Sequence, residues 1–285
     1  MRRWAPSIEP YSQWIEQQNF DAAKCWVCAL RDSEASQAEA AIAEAVAWDW
    51  LAHRVHSIEL AYDPARRSPD FKCTSDRGAF FVEVTNVSRP AMTEAMGLED
   101  FETSPSLKHF RLPADRLHQD LLKKAKQGVG LDAAYLVFLT TLHGHASMRM
   151  TNRSYAATLL HSEEFLTADF DAEQGCVVGG FRSTVDFNRA AFTRSKTLNG
   201  VRAHVSGALL GPFGLYPNDV TVLGILNPEA THPFDRRALP DAPFAQFREW
   251  PPRDQVQVVW TDEPPPPIAT PPRPRLWTPD SNWAP

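Results

Sequence analysis

Asp70 and Glu83 are two carboxylates set into apolar surroundings. Pro69-Asp70-Phe71 opens a short apolar stretch, and Glu83 lies inside the run Phe80-Phe81-Val82-Glu83-Val84-Thr85. Read as a strand, that run puts Phe81, Glu83 and Thr85 on one face and Phe80, Val82 and Val84 on the other, because side chains alternate. An unpaired carboxylate is costly to bury in such a strand. Glu83 therefore needs a partner. A hard divalent cation shared with a second carboxylate on the neighbouring strand supplies one. Mg²⁺ is commonly held in this way, by one or two carboxylates, with water and substrate phosphate completing its shell.

The elements that must position these acids are legible on either side of them. Ser33 to His53 is rich in Ala, with Ser33 or Ser36 available as N-cap and Glu34 in the first turn, which predicts a helix. Three short strands follow, at Ile58–Tyr62, Phe71–Thr74 and Ala79–Thr85, separated by Asp-Pro, Ser-Pro-Asp and Asp-Arg-Gly turn signals. An antiparallel meander is expected. A loop holding Pro90, Gly97 and Pro105 leads to a second helix, from about Pro113-Ala114-Asp115 to Gly128. Ala134–Leu139 is a continuous apolar run, as expected of a strand covered on both faces. Beyond it, Val201–Leu210 reads as helix or strand and Val220–Leu226 as a further buried strand. No linker divides the chain. The expectation is one α/β domain over residues 1–262, with its core at about 33–142, and a Pro-rich extended tail over 263–285 that carries Trp277 and Trp283.

Pro-Asp, a gap, and then Glu-x-Lys near the end of an apolar strand is the signature of the PD-(D/E)xK nuclease superfamily. Pro69-Asp70 and Glu83-Val84-Thr85 resemble it, and so does the order helix, three-strand meander, helix, strand. The resemblance covers residues 33–142, between a third and a half of the chain. It implies a restriction-endonuclease-like core with C-terminal α/β additions. It also implies Mg²⁺- or Mn²⁺-dependent hydrolysis of phosphodiester bonds, with DNA as the nucleic acid, and an ion held by Asp70, Glu83 and the Val84 carbonyl. The departure is Thr85, where the family's lysine usually stands. Some branches are similar in lacking that lysine and in supplying one from the following helix, three residues before a Gln. Here Lys124 and Gln127 have that spacing. Lys124 lies at the edge of the apolar stripe Leu117, Leu121 and Ala125, and Lys123 points away from it. The superfamily often adds a carboxylate from its first helix, which here would bind the ion directly or through water. Glu44, which shares a face with Trp48, Leu51 and Val55, is the preferred residue, and Glu39, on the face of Ile42, Val46 and Trp50, is the runner-up. Two other readings compete with a nuclease. One is a nuclease-fold module that binds nucleic acid or protein after losing catalysis with the lysine at 85. The other is a scaffold or toxin-partner protein whose Pro-rich tail is the working part.

Composition narrows the alternatives. At 285 residues and 43% hydrophobic content the chain can fill a substantial core. A net charge of −6 argues against coating nucleic acid by bulk electrostatics. A local basic stretch does run from Lys108 to Lys126. Glu9, Gln13, Glu16 and Gln17 interrupt what a signal peptide would need, and no window approaches the roughly 20 apolar residues of a membrane span. A cytoplasmic protein without membrane contact is expected. A partner on the Pro-rich tail and a homodimer are both compatible with the sequence. Cys25 and Cys28 form an isolated CxxC that reads as small apolar residues of a buried strand rather than half a zinc site. His143 and His145, after the buried strand, read as surface residues, and Gly211-Pro-Phe-Gly214 as a turn.

Overall fold

The computed structural model describes residues 2–61, 68–97, 99, 119–121, 123–160, 163–171, 176–186, 192, 202–214, 221–251 and 257–263. It is a mixed α/β structure. Three helices come first: α1 (Ala5–Gln18), α2 (Phe20–Leu30) and α3 (Ala35–Ala52). They are followed by β1 (Ser57–Leu60), β2 (Phe71–Ser75), β3 (Gly78–Asn86) and α4 (Arg89–Met96). Residues 119–121 and 123–125 are helical (α5), and β4 is Ala134–Thr140. Then come α6 (Gly144–Met150), α7 (Arg153–Thr158), β5 (Glu163–Asp171) and β6 (Cys176–Asp186). The last strands are β7 (Gly207–Gly211), β8 (Leu223–Leu226), β9 (Phe244–Phe247) and β10 (Val258–Trp260).

Eight strands form one sheet in the order β1-β2-β3-β4-β7-β8-β9-β10, and β5 and β6 pair as a separate hairpin. The meander β1-β2-β3 is antiparallel as expected, and β4 joins β3 in parallel after α5. Each face of the sheet has its own core. Phe71, Cys73, Phe80, Val82, Leu136, Phe138 and Leu209 point towards α1, α2 and α3. Tyr135, Val137, Leu139, Ala208 and Leu210 point towards α4, α5, α6 and α7. Because β4 is covered on both sides, it could be recognised from its unbroken apolar run.

Several expectations need correction. Cys25 and Cys28 lie on α2, not on a strand, and are exposed. Ala22, Ala23 and Trp26 take the buried stripe, with Trp26 Nε1 donating to the Ala41 carbonyl oxygen at 2.9 Å, and the cysteines fall on the far side. Part of the expected loop after β3 is α4. Pro90 stands in its first turn, where no N–H is needed, and Gly97 closes it in the left-handed region at φ 63°. Glu34 rather than a serine precedes α3 as its N-cap residue. Among the described residues of the ambiguous Val201–Leu210 region, strand begins at Gly207 and runs on to Gly211, and β8 begins at Leu223. His143 is fully buried and caps α6, its ring nitrogen accepting from the Ala146 N–H. Pro105, the start of the second helix, Lys108, Arg111 and Arg116 of the basic stretch, and Trp277 and Trp283 lie outside the described residues. No helix among the described residues is long and apolar enough to cross a membrane.

Candidate active site

Phe71 pairs with Val82 across the antiparallel β2–β3 ladder. Asp70 stands just before this ladder begins, and its carboxyl interacts electrostatically with Glu83 and Lys124. Asp70 is tied in at this position: its N–H donates to the Val82 carbonyl oxygen at 3.1 Å, and its Oδ2 accepts from the Val84 N–H at 2.6 Å. Glu83 is 3% exposed. The apolar pattern of β3 holds it there, since every other residue of the strand must face one core or the other.

Lys124 supplies its partner. The Lys124 Nζ donates to Glu83 Oε1, whereas Lys123 Nζ, one position earlier, turns outward to Asp120 Oδ1 at 2.8 Å. The helix face read from the sequence explains the difference, because Leu121 and Ala125 are buried and carry Lys124 inward with them. Tyr135 of β4 braces this turn, its hydroxyl donating to the Lys124 carbonyl oxygen at 3.2 Å. Gln127 lies beside the same carboxylate and favours its charged form. Thr85 shares the face of Glu83 but is buried with no partner for its hydroxyl among the described residues.

The third acid comes from α3. Glu44 accepts from the Tyr11 hydroxyl through Oε1 and interacts electrostatically with both Glu83 and Asp70. Glu39 does a different job. It is 2% exposed and accepts from both the Arg89 N–H and the Arg89 Nε, each at 2.7 Å, which joins α3 to the first turn of α4. Of the two candidates, only Glu44 reaches the acid site.

Burial dominates the electrostatics. It pushes the Glu44 carboxyl up from 4.5 to about 7, with the Tyr11 hydrogen bond opposing and Glu83 adding to the rise. Burial likewise raises Asp70, with Glu83 and Glu44 adding to it and the Val84 N–H and Lys124 acting against it. Glu83 is raised by burial despite Lys124. Crowded carboxylates of this kind hold protons until a cation replaces them.

Each acid has one oxygen engaged by a named donor: Tyr11 on Glu44, the Val84 N–H on Asp70, Lys124 on Glu83. Glu83 Oε2 is buried with no hydrogen-bond partner among the described residues. An orphaned carboxylate oxygen beside a second carboxylate fits a hard cation. Among the described residues no three His, Cys, Asp or Glu side chains are gathered closely enough to enclose an ion. Asp70 and Glu83 together offer an ion two carboxylates, with water to complete its shell.

Sequence reasoning passed over Tyr11 and Tyr135. Ser7, Tyr11 and Ile15 are buried at four-residue spacing, a helical stripe that was available to read. Tyr135 stands in a buried strand, where a phenol needs a hydrogen-bond partner. Comparison with known protein families, with curated proteins and with solved structures finds no match to this chain.

Proposed function

We propose that this chain is a metal-dependent phosphodiester hydrolase, a nuclease acting on DNA, built on a restriction-endonuclease-like core running from α3 to β4. The observation that carries the reading is the Lys124–Glu83 ion pair, with the Asp70 carboxyl interacting electrostatically with both partners. It puts a lysine where the Glu-x-Thr sequence of β3 lacks one. A site filled by apolar side chains would have favoured a binding module instead.

Asp70 and Glu83, with the Val84 carbonyl, would hold Mg²⁺ or Mn²⁺, and Glu44 would reach the ion through water. When bound, the ion supplies Lewis-acid activation of a phosphoryl oxygen and of a water. The protein's own groups do the rest. An ammonium group has three N–H donors, and Lys124 spends one on Glu83, which leaves donors to orient a water or to meet charge developing on the phosphoryl oxygens. Gln127, with Lys124, opposes the rise that burial imposes on Glu83. Glu44, pushed up to about 7, can take a proton near neutral pH.

The test is incubation of supercoiled plasmid and linear duplex DNA with Mg²⁺ or Mn²⁺. Cleavage should appear with metal, vanish with EDTA, and be lost in Asp70→Asn. Cleavage that survives Asp70→Asn, or none from the wild-type protein with either metal, overturns the proposal.

A further inference from the structure

The N-terminal helix α1 lies outside the elements that carry Asp70, Glu83 and Lys124, yet its Tyr11 is hydrogen-bonded into the acid site. Tyr11 is fully buried. Its ring packs against Trp14, Trp26, Trp48 and Phe71 at centroid separations of 5.5, 5.1, 5.6 and 6.3 Å. Two of those four belong to the stretches that carry acids: Trp48 is one helical turn after Glu44, and Phe71 follows Asp70. A phenol boxed in by four aromatic rings is confined to one rotamer. Its hydroxyl is fixed with it.

Burial and the adjacent Glu44 hold that hydroxyl well above the ordinary phenol range, so it stays protonated and serves as a permanent donor. Glu44 is otherwise a side chain with three rotatable bonds, and this hydroxyl holds it through Oε1. Groups that orient a ligand in this manner matter to metal affinity nearly as much as the ligand itself.

Resting on the reading of the site as a metal centre, we propose that Tyr11 is a positioning residue: its hydroxyl pins Glu44 by Oε1 and presents Oε2 to the shell of the ion. Helix α1 is thereby a working part of the site and not only a cover for the core. Tyr11→Phe removes the hydroxyl while keeping the ring in its cage. It should weaken Mn²⁺ binding by about tenfold, the low end for groups that orient a metal ligand.

The experiment is calorimetric titration of Mn²⁺ into wild type, Tyr11→Phe, Glu44→Gln and the double variant, with melts in EDTA to establish that each is folded at the titration temperature. Because Tyr11 acts through Glu44, the double variant should bind no more weakly than Glu44→Gln alone; losses that add would mean independent effects. Glu44→Asp, which keeps the charge but draws it back from Tyr11, provides a second route to the same tenfold loss without touching the aromatic cage. Wild-type binding together with unchanged affinity in Tyr11→Phe and Glu44→Asp, or with additive losses in the cycle, overturns the assignment of Tyr11 alone. Absence of Mn²⁺ binding by the wild-type protein overturns the metal reading and this assignment with it.

Discussion

Replacing Glu44 by Gln should make the metal-free protein more stable at alkaline pH and leave it unchanged at acid pH. The folded protein holds the Glu44 proton up to about 7, against 4.5 for the ordinary side chain. A folded-state pKa raised above the unfolded one gives stability that is fully present below the unfolded value and is lost as pH rises through the folded value. The window is therefore pH 4.5 to 7. Each pH unit is worth about 1.4 kcal/mol, so the full rise corresponds to about 3 kcal/mol. Solvent reaching the partly exposed Glu44 trims this to about 2 kcal/mol. Gln keeps an oxygen for the Tyr11 hydroxyl but has no proton to lose. In EDTA the two proteins should melt together at pH 4.5, and by pH 8 the variant should melt about 6 °C higher, at about 3 °C per kcal/mol for a chain of this size. Scanning calorimetry in half-unit pH steps measures the difference curve. A difference that does not change with pH would refute the claim that burial and Glu83 hold a proton on Glu44.

Lys124→Ala leaves Glu83 buried without its cation and should cost about 2 kcal/mol in denaturant unfolding while abolishing metal-dependent cleavage; Lys123→Ala, whose partner Asp120 lies away from the site, should change neither. Glu83→Gln should be at least as stable as wild type without metal and lose the rise in melting temperature that Mn²⁺ gives the wild-type protein by binding only the folded state. A Mn²⁺-dependent shift that persists in Glu83→Gln would place the ion elsewhere. The fold makes a separate prediction at β8: a Cβ on Gly224 would lie 2.2 Å from ring carbons of Phe244 on the paired strand, so Gly224→Ala should cost about 3 kcal/mol in urea unfolding, and a neutral result would contradict that packing.

From α3 to β4 the elements other than α4 were legible because each declares its own period. An Ala-rich run has little choice but helix, alternation on β3 puts Glu83 among apolar neighbours, and a strand buried on both faces has no polar residue to disguise it. The inward turn of Lys124 followed from the stripe of Leu121 and Ala125. What was missed had competing local signals. Helix α1 carries Pro6 and Pro10 and a polar face, which obscured Tyr11. The run Lys-Cys-Trp-Val-Cys-Ala-Leu is apolar enough for strand or helix, and only packing under Ala41 decides for α2. Pro90 and Gly97 mark a loop in one reading and the two ends of a short helix in another, which is how they serve α4. Strands β7 to β10 are three to five residues long, too short for periodicity to identify without the sheet that recruits them. The pairing of Glu44 rather than Glu39 with the site could not be read from α3 alone, since both faces of that helix are apolar. The choice is made by Tyr11 on one side and Arg89 on the other.

The central claim is that Asp70 and Glu83 together hold a divalent ion. Crystals of the wild-type protein soaked in Mn²⁺ test it directly, because anomalous scattering locates the metal independently of the protein's phases. A peak is expected between the two carboxylates, with Glu83 Oε2 among the ligands and Glu44 bridged by water. A peak at any other position, or none at a Mn²⁺ concentration that supports cleavage in solution, would contradict it.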